Sequence, residues 1–130
     1  ICLGAHVMFN HSEEDGGVRG LGLIKGTVRH IPLKSSNTGW LPCSFDKRHM
    51  HELWKSQKLN MSRKQRVSGR VFFNHKYGIQ LDEAADIDLK IQSKELSEFS
   101  ALVHIKNLIA CQFHPEKSQI MGELLLKMIL

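Results

Sequence analysis

The chain has 130 residues, of which 42% are hydrophobic and 24% are charged, with a formal net charge of +5 at pH 7. This length suits one ordinary domain, and the apolar fraction is sufficient for a core. The sequence has no membrane-length apolar run, no secretory signal pattern and only three cysteines without Cys-x-x-Cys spacing, so we expect a cytoplasmic protein in a reducing compartment.

The first predicted element follows a cysteine near the start of the chain. Cys2 lies in a turn of small residues beside Gly4, and residues 5–11 are predicted to form a short helix. A cysteine at a sharp turn before a helix is typical of a catalytic nucleophile, and the helix N-terminus is expected to lower the pKa of its thiol. The other two cysteines are interpreted as buried thiols without chemistry.

Loops dominate the prediction for the next part of the chain. The glycines from Gly20 to Gly26 have the spacing Gly-x-Gly-x-x-x-Gly, which is not a dinucleotide-binding fingerprint. A strand is predicted over residues 26–31, ended by Pro32, and a short helix over residues 46–54. The predicted turns and loops cover residues 12–17, 20–26, 34–37 and 55–66.

A basic stretch lies between Leu53 and Leu81, where seven basic residues occur and no acidic residue. Such a run is usually a solvated loop, which is the interpretation that we favour. A nucleic-acid site or a docking surface for an acidic partner would have the same composition. The basic residues are Lys55, Lys58, Arg63, Lys64, Arg66, Arg70 and Lys76.

The second half of the chain is predicted to contain several strands followed by one helix. Lys106 and Asn107 form the turn between the last two strands, with Asn107 suited to the left-handed conformation that such a turn can need. Apolar residues at helical spacing predict an amphipathic helix over residues 118–130. The predicted strands cover residues 70–74, 77–81, 87–91, 99–105 and 108–113, and the first two are expected to form a hairpin.

A histidine and a glutamate on either side of a proline precede that helix. Residues i and i+2 of a strand share a face, so His114 and Glu116 can point the same way, with the carboxylate orienting the imidazole. A lone pair of this kind is usually structural. Together with Cys2, however, it matches the base, orienter and nucleophile of a triad.

Five segments that include these residues occur in the order typical of one enzyme family. The segments are residues 1–6, 12–14 together with 20–26, 38–40, 72–77 and 111–119. On them the chain resembles a class I, triad-type glutamine amidotransferase, and it is most similar to the glutaminase subunit of imidazole glycerol phosphate synthase.

The resemblance implies an α/β, flavodoxin-like domain with a mixed sheet and flanking helices. It also implies that residues 1–130 are the C-terminal part of that domain, and that upstream strands and a loop with a second oxyanion donor precede Cys2. We therefore expect residues 1–130 alone to hydrolyse little or no glutamine.

Roles for individual residues also follow from the resemblance. It makes Cys2 the nucleophile, His114 the base and Glu116 the orienter, and the backbone N–H of Leu3 an oxyanion donor. The family has Gln at the position of His6, and that Gln helps to hold the substrate or the acyl intermediate. His6 is therefore a departure from the family pattern. The implied substrate and oxyanion residues are Leu3, Gly4 and His6, and milder departures are Lys76 in place of Ser and Ala110 in place of Gly.

In this family, ammonia from glutamine passes to a synthase partner, which for the most similar branch is the cyclase subunit of histidine biosynthesis. Two alternatives remain open: an amidotransferase for surface-polysaccharide sugars, and a non-catalytic amidotransferase-like interaction module. We expect no cofactor and no nucleic-acid or membrane partner. The residues expected at the partner interface are Lys117, Thr38, Gly39 and Trp40.

Eight histidines raise the question of a metal site. His49 and His51 would share a face only in an extended segment, whereas the predicted helix separates them. No cysteine or carboxylate lies at ligand spacing from them. We therefore expect no metal.

Overall fold

The computed structural model of the chain describes residues 1–32, 37–45, 67–82, 85, 87–90 and 96–129. The predicted helix over 46–54, the loop over 55–66 and the histidines at 49 and 51 lie outside the described residues, as does most of the basic stretch. No helix in the described part is long and apolar enough to cross a bilayer.

The described elements are mostly strands, with a helix near each end and two 3-10 turns. The first part contains α1 (Leu3–His6), β1 (His11–Ser12), a 3-10 turn (Glu14–Gly16), β2 (Val18–Arg19) and β3 (Gly26–His30). The middle contains β4 (Asn37–Phe45), β5 (Val67–His75), β6 (Tyr77–Leu81) and β7 (Ile87–Lys90). The last part contains β8 (Ser100–Ile105), β9 (Leu108–Cys111), a 3-10 turn (Pro115–Lys117) and α2 (Gln119–Ile129).

The described strands form a mixed main sheet and a separate strand pair. The order in the main sheet is β2-β1-β3-β6-β8-β7, and β9 also pairs with β8. β1 is parallel to β3, and the other pairs are antiparallel. β4 and β5 pair with each other in a second, two-stranded sheet.

The predicted hairpin between residues 70–74 and 77–81 is wrong, although both strands exist. β5 pairs with β4, whereas β6 pairs with β3 and β8. Only Lys76 separates β5 from β6, and a hairpin needs a loop of at least about two residues. The chain therefore continues from one sheet directly into the other.

The first helix is shorter and earlier than the predicted residues 5–11. The carbonyls of Val7, Met8 and Phe9 accept hydrogen bonds from the N–H groups of residues 21–24 and so are not used to extend the helix. Gly20 makes this close contact possible, because a Cβ on it would overlap the carbonyl oxygen of Phe9.

Two further local predictions differ from the structure. β4 was not predicted. Among the described strands it pairs only with β5, and an edge position tolerates its Pro42. In the turn between β8 and β9, Lys106 rather than Asn107 has the positive φ, at 54°. The strands over residues 26–31, 87–91, 99–105 and 108–113 and the last helix are confirmed with small boundary shifts.

Two apolar clusters meet at β9. Ala110 packs with Ala5 and Phe9 in one cluster, whereas Cys111 packs with Phe73 in the other. Successive residues of a strand face opposite sides of the sheet, so the end of β9 lies between α1 and β5. The last residue of β9 is hydrogen-bonded to Cys2, and the chain continues from it to His114 and Glu116.

Candidate active site

The predicted nucleophile lies at a strained turn. Cys2 has φ 47° and ψ −116°, a region that non-glycine residues rarely adopt and that costs roughly 1–3 kcal/mol. The Cys2 N–H donates to the Cys111 carbonyl at 2.7 Å, and its own carbonyl accepts from the N–H of Ala5 at 2.9 Å. The turn is therefore anchored to β9 on one side and to α1 on the other.

The predicted lowering of the Cys2 pKa is wrong. Partial burial raises the pKa of this thiol above its ordinary value, and this effect outweighs the nearby Leu3 N–H, which lowers it. α1 has only 4 residues, so its helix dipole is weak and lowers the pKa of the thiol little. Proton transfer from this thiol therefore needs a base.

The predicted base and orienter are in direct contact. The Nδ1–H of His114 donates to Glu116 Oε1 at 2.7 Å, which leaves Nε2 as the proton acceptor of the neutral ring. Desolvation raises the pKa of Glu116, but the hydrogen bond from His114 and nearby positive charge bring it below its usual range overall. The pair forms across the 3-10 turn at Pro115, whereas the prediction placed both residues at the end of a strand.

β5 brings the two halves of the predicted triad together. The His114 N–H donates to the Phe72 carbonyl at 2.8 Å, and Cys2 Sγ lies 4.0 Å from the carbonyl oxygen of Asn74. Both groups therefore contact backbone positions two residues apart on one strand. Ser118 strengthens this arrangement, because its hydroxyl donates to the His114 carbonyl at 2.6 Å and accepts from the Phe72 N–H at 3.0 Å.

A cavity of about 280 Å³ opens beside Cys2. The predicted substrate residues Leu3 and His6 line it, whereas Gly4 is exposed and its N–H donates to the Ile1 carbonyl within the turn. Most of the other lining residues had no role predicted from the sequence, because they come from the end of β5, the start of β6 and the 3-10 turn at Glu14. They are Glu14, Asn74, His75, Lys76 and Tyr77.

His75 is a buried neutral histidine on the cavity wall. Its Nδ1–H donates to the Tyr77 carbonyl at 2.7 Å, and burial lowers its pKa from 6.5 to about 4. The unfolded chain therefore binds a proton more readily than the folded protein between pH 6.5 and 4. Its contribution to stability is complete above about pH 6.5 and is lost as the pH falls toward 4.

We expect His75→Asn to reduce the pH dependence of folding stability. Asparagine keeps a donor for the Tyr77 carbonyl but does not titrate, so the wild-type protein should lose up to roughly 3 kcal/mol more than the variant between pH 7 and 4. Denaturant unfolding at several pH values measures this difference. The exposed His11→Asn serves as the control, and equal pH slopes for wild type and His75→Asn would contradict the assignment.

Residues that were predicted at a partner interface form one surface. The Lys117 ammonium lies over the Phe72 ring, 5.5 Å from its centroid, and the Trp40 ring packs edge-on against the same phenylalanine at 5.9 Å. Thr38 lies on the same pair of strands, and its hydroxyl donates to Asn74 Oδ1 at 3.1 Å. Residues from three separate parts of the sequence thus meet beside His114.

The remaining cysteines are poor nucleophiles. Cys43 is fully buried, and burial raises the pKa of Cys111 to about 12. Among the residues that the structure describes, no group of three His, Cys, Asp or Glu side chains is placed to hold a metal ion.

Comparisons with known proteins point to one enzyme family. The family model of class-I glutamine amidotransferases matches residues 1–126. The chain is 38% identical to the imidazole glycerol phosphate synthase subunit HisH of Prochlorococcus marinus, covering 97% of this chain and 55% of that protein. It is 37% identical to the same subunit of Helicobacter hepaticus (94% and 54%) and 33% identical to that of Aquifex aeolicus (98% and 56%). The chain thus spans about half the length of the curated relatives it matches.

Proposed function

Because the chain belongs to the class I glutamine amidotransferase family, we propose that it supplies the glutaminase chemistry of an imidazole glycerol phosphate synthase. The hydrogen bond between His114 and Glu116, held by β5 next to the strained turn at Cys2, is the observation that carries this proposal. The printed names of the relatives support the choice of synthase.

The proposed reaction begins with transfer of the Cys2 proton to His114 Nε2. The thiolate attacks the amide carbon of glutamine, and the Leu3 N–H donates to the tetrahedral oxyanion. The imidazolium, stabilised by Glu116, returns the proton to the amide nitrogen, which leaves as ammonia from a thioester on Cys2. Water then attacks the thioester with His114 as the base, releasing glutamate and restoring the thiol.

The charges of the cavity suit an amino-acid substrate. The acidic residue Glu14 and the basic residue Lys76 both line the cavity that contains Cys2. A glutamine with its amide at Cys2 would present an α-ammonium group to Glu14 and an α-carboxylate to Lys76. The volume of about 280 Å³ lies at the lower end of small-molecule pockets, which suits a substrate of this size.

Glutamine labelled with ¹⁵N at the amide tests the function as a whole. The complete protein with its cyclase partner should transfer the label into the imidazole product of the synthase. Label that appears only in free ammonia would limit the function to glutamine hydrolysis. No hydrolysis, in the presence of cyclase and its substrate, would favour the non-catalytic module, which is consistent with His6 in place of the family glutamine.

We expect Lys117→Glu to weaken binding of the cyclase. The substitution replaces a cation over the Phe72 ring with an anion beside Glu116, so it removes a favourable contact and reverses the local charge. A titration with the cyclase should give a roughly tenfold weaker affinity, about 1.4 kcal/mol, because a favourable charge at the interface becomes an unfavourable one.

Lys106→Glu provides the matched control, since it makes the same charge change in the turn between β8 and β9, at the other end of β9 from the site. Equal weakening by both substitutions would indicate a general effect of net charge. Unchanged affinity for Lys117→Glu would remove this residue from the interface.

A further inference from the structure

We propose that His6 is a positioning residue that fixes α1 against the segment carrying His114 through Gln112, and that also orients Glu14 on the cavity wall. The inference rests on the proposed glutaminase function. His6, the residue that departs from the family pattern, thereby receives a structural role.

The link from His6 to Gln112 joins the two ends of the described chain inside the protein. His6 Nε2 lies 2.9 Å from Gln112 Oε1, across 106 residues of sequence. His6 is 6% exposed and Gln112 is fully buried. A buried polar contact of this kind constrains orientation strongly, because breaking it leaves two polar groups without water.

Gln112 lies at the point where nucleophile and base segments meet. The carbonyl of the preceding Cys111 accepts the Cys2 N–H, and the N–H of Gln112 is itself anchored on the Ala101 carbonyl at 2.9 Å. The base, His114, follows directly after Phe113. The backbone bond at Cys2 and the side-chain bond at His6 therefore act on α1 at its two ends, which prevents rotation about a single contact.

The second ring nitrogen of His6 faces Glu14. Nδ1 lies 3.7 Å from Glu14 Oε2, and both this nitrogen and Gln112 Nε2 are buried without a hydrogen-bond partner among the residues that the structure describes. The contact between Nε2 and the Gln112 side chain leaves Nδ1 as the ring atom that faces the carboxylate. When the amide is turned so that Nε2 accepts from it, the neutral ring carries its hydrogen on Nδ1 and directs that N–H toward Glu14. This arrangement holds the Glu14 carboxylate at the cavity wall.

The test separates positioning from general stability by steady-state kinetics on the complete protein with its cyclase partner. The number of active sites is counted by alkylation of Cys2 with a glutamine-analogue chloroketone, so that kcat refers only to folded, reactive protein. His6→Leu and Gln112→Leu should each lower kcat by roughly 10- to 100-fold, the range expected for sub-ångström misplacement of reacting groups. Only His6→Leu should also raise KM, because it alone removes the contact with Glu14.

A double variant tests whether the two residues act through one contact, and a conservative variant tests whether an amide can replace the imidazole. Because both residues act through one contact, the double leucine variant should lose no more kcat than the worse single variant. His6→Gln should recover most of the kcat, since its amide can donate to Gln112. His104→Leu and His104→Gln are matched controls. His104 lies on β8, its buried Nδ1 has no hydrogen-bond partner in the described part of the chain, and it does not line the cavity.

Losses that multiply in the double variant, or an unchanged kcat per labelled site in both single variants, would overturn the proposal. Should a leucine variant fail to fold, Gln112→Asn gives the same comparison, because it keeps the amide but withdraws it from His6. A wild-type protein that labels at Cys2 but hydrolyses no glutamine would instead contradict the proposed function itself.

Discussion

Replacing Cys2 with serine is expected to lower glutamine hydrolysis by the complete protein by roughly 10⁴- to 10⁶-fold, as the loss of a triad nucleophile typically does. A serine hydroxyl in the same strained turn would be far less acidic than the thiol. The base would then have to remove a much less acidic proton, and the acyl intermediate would form too slowly to support turnover. Ammonia release from glutamine, measured with the cyclase present, gives this rate directly.

Chemical labelling tests the same residue without relying on turnover. A glutamine-analogue alkylator should modify Cys2 in preference to Cys43 and Cys111, which are 0% and 4% exposed. Mass spectrometry of digested protein identifies the labelled thiol. Cys43→Ala is the control and should keep both labelling and activity within a few-fold. Equal labelling of all three thiols in folded protein would remove Cys2 from its proposed role.

Replacing His114 with alanine is expected to lower the rate of glutamine hydrolysis by roughly 10²- to 10⁴-fold, the usual contribution of a general base. The effect should be large here because the pKa of the Cys2 thiol is raised by burial, so the thiol does not ionise readily without a base. The folded structure should survive, since the His114 contacts to Phe72 and Ser118 are made by its backbone.

Glu116→Gln is the informative comparison for His114→Ala. A glutamine oxygen can still accept the His114 Nδ1–H but provides no charge to stabilise the imidazolium. The loss should be about 10- to 100-fold, the value of one hydrogen bond to a charged group. Glu116 is 53% exposed, so solvent compensates for part of the missing charge. A larger loss for Glu116→Gln than for His114→Ala, in assays of ammonia release, would reverse the proposed roles.

Several features of the fold followed from local patterns in the sequence. The strand over 26–31 and the last helix were predicted because apolar spacing, Pro32 and Pro115 act within a few residues of the chain. The contact between His114 and Glu116 was also predicted, although through a strand rather than a 3-10 turn. In that case residue spacing was sufficient, since either backbone brings side chains two positions apart within reach.

The errors lie where distant segments compete for the same hydrogen-bonding groups. α1 ends early because residues 20–24 take the carbonyls that a longer helix would have used. β5 pairs with β4 instead of β6, a choice that depends on a strand more than twenty residues earlier in the sequence. The pKa of Cys2 was predicted with the wrong sign, because the helix dipole is a local effect whereas burial depends on the whole fold.

By itself, the sequence determined the family and the identity of the candidate catalytic residues, since Cys2, His114 and Glu116 stand in motifs whose order along the chain is characteristic. Only the tertiary structure decided that β5 contacts both Cys2 and His114, and that the ring of His6 is hydrogen-bonded to Gln112 across 106 residues. The physical reason is range: motif chemistry depends on neighbours in sequence, whereas burial and long-range hydrogen bonds exist only once separate segments have packed together.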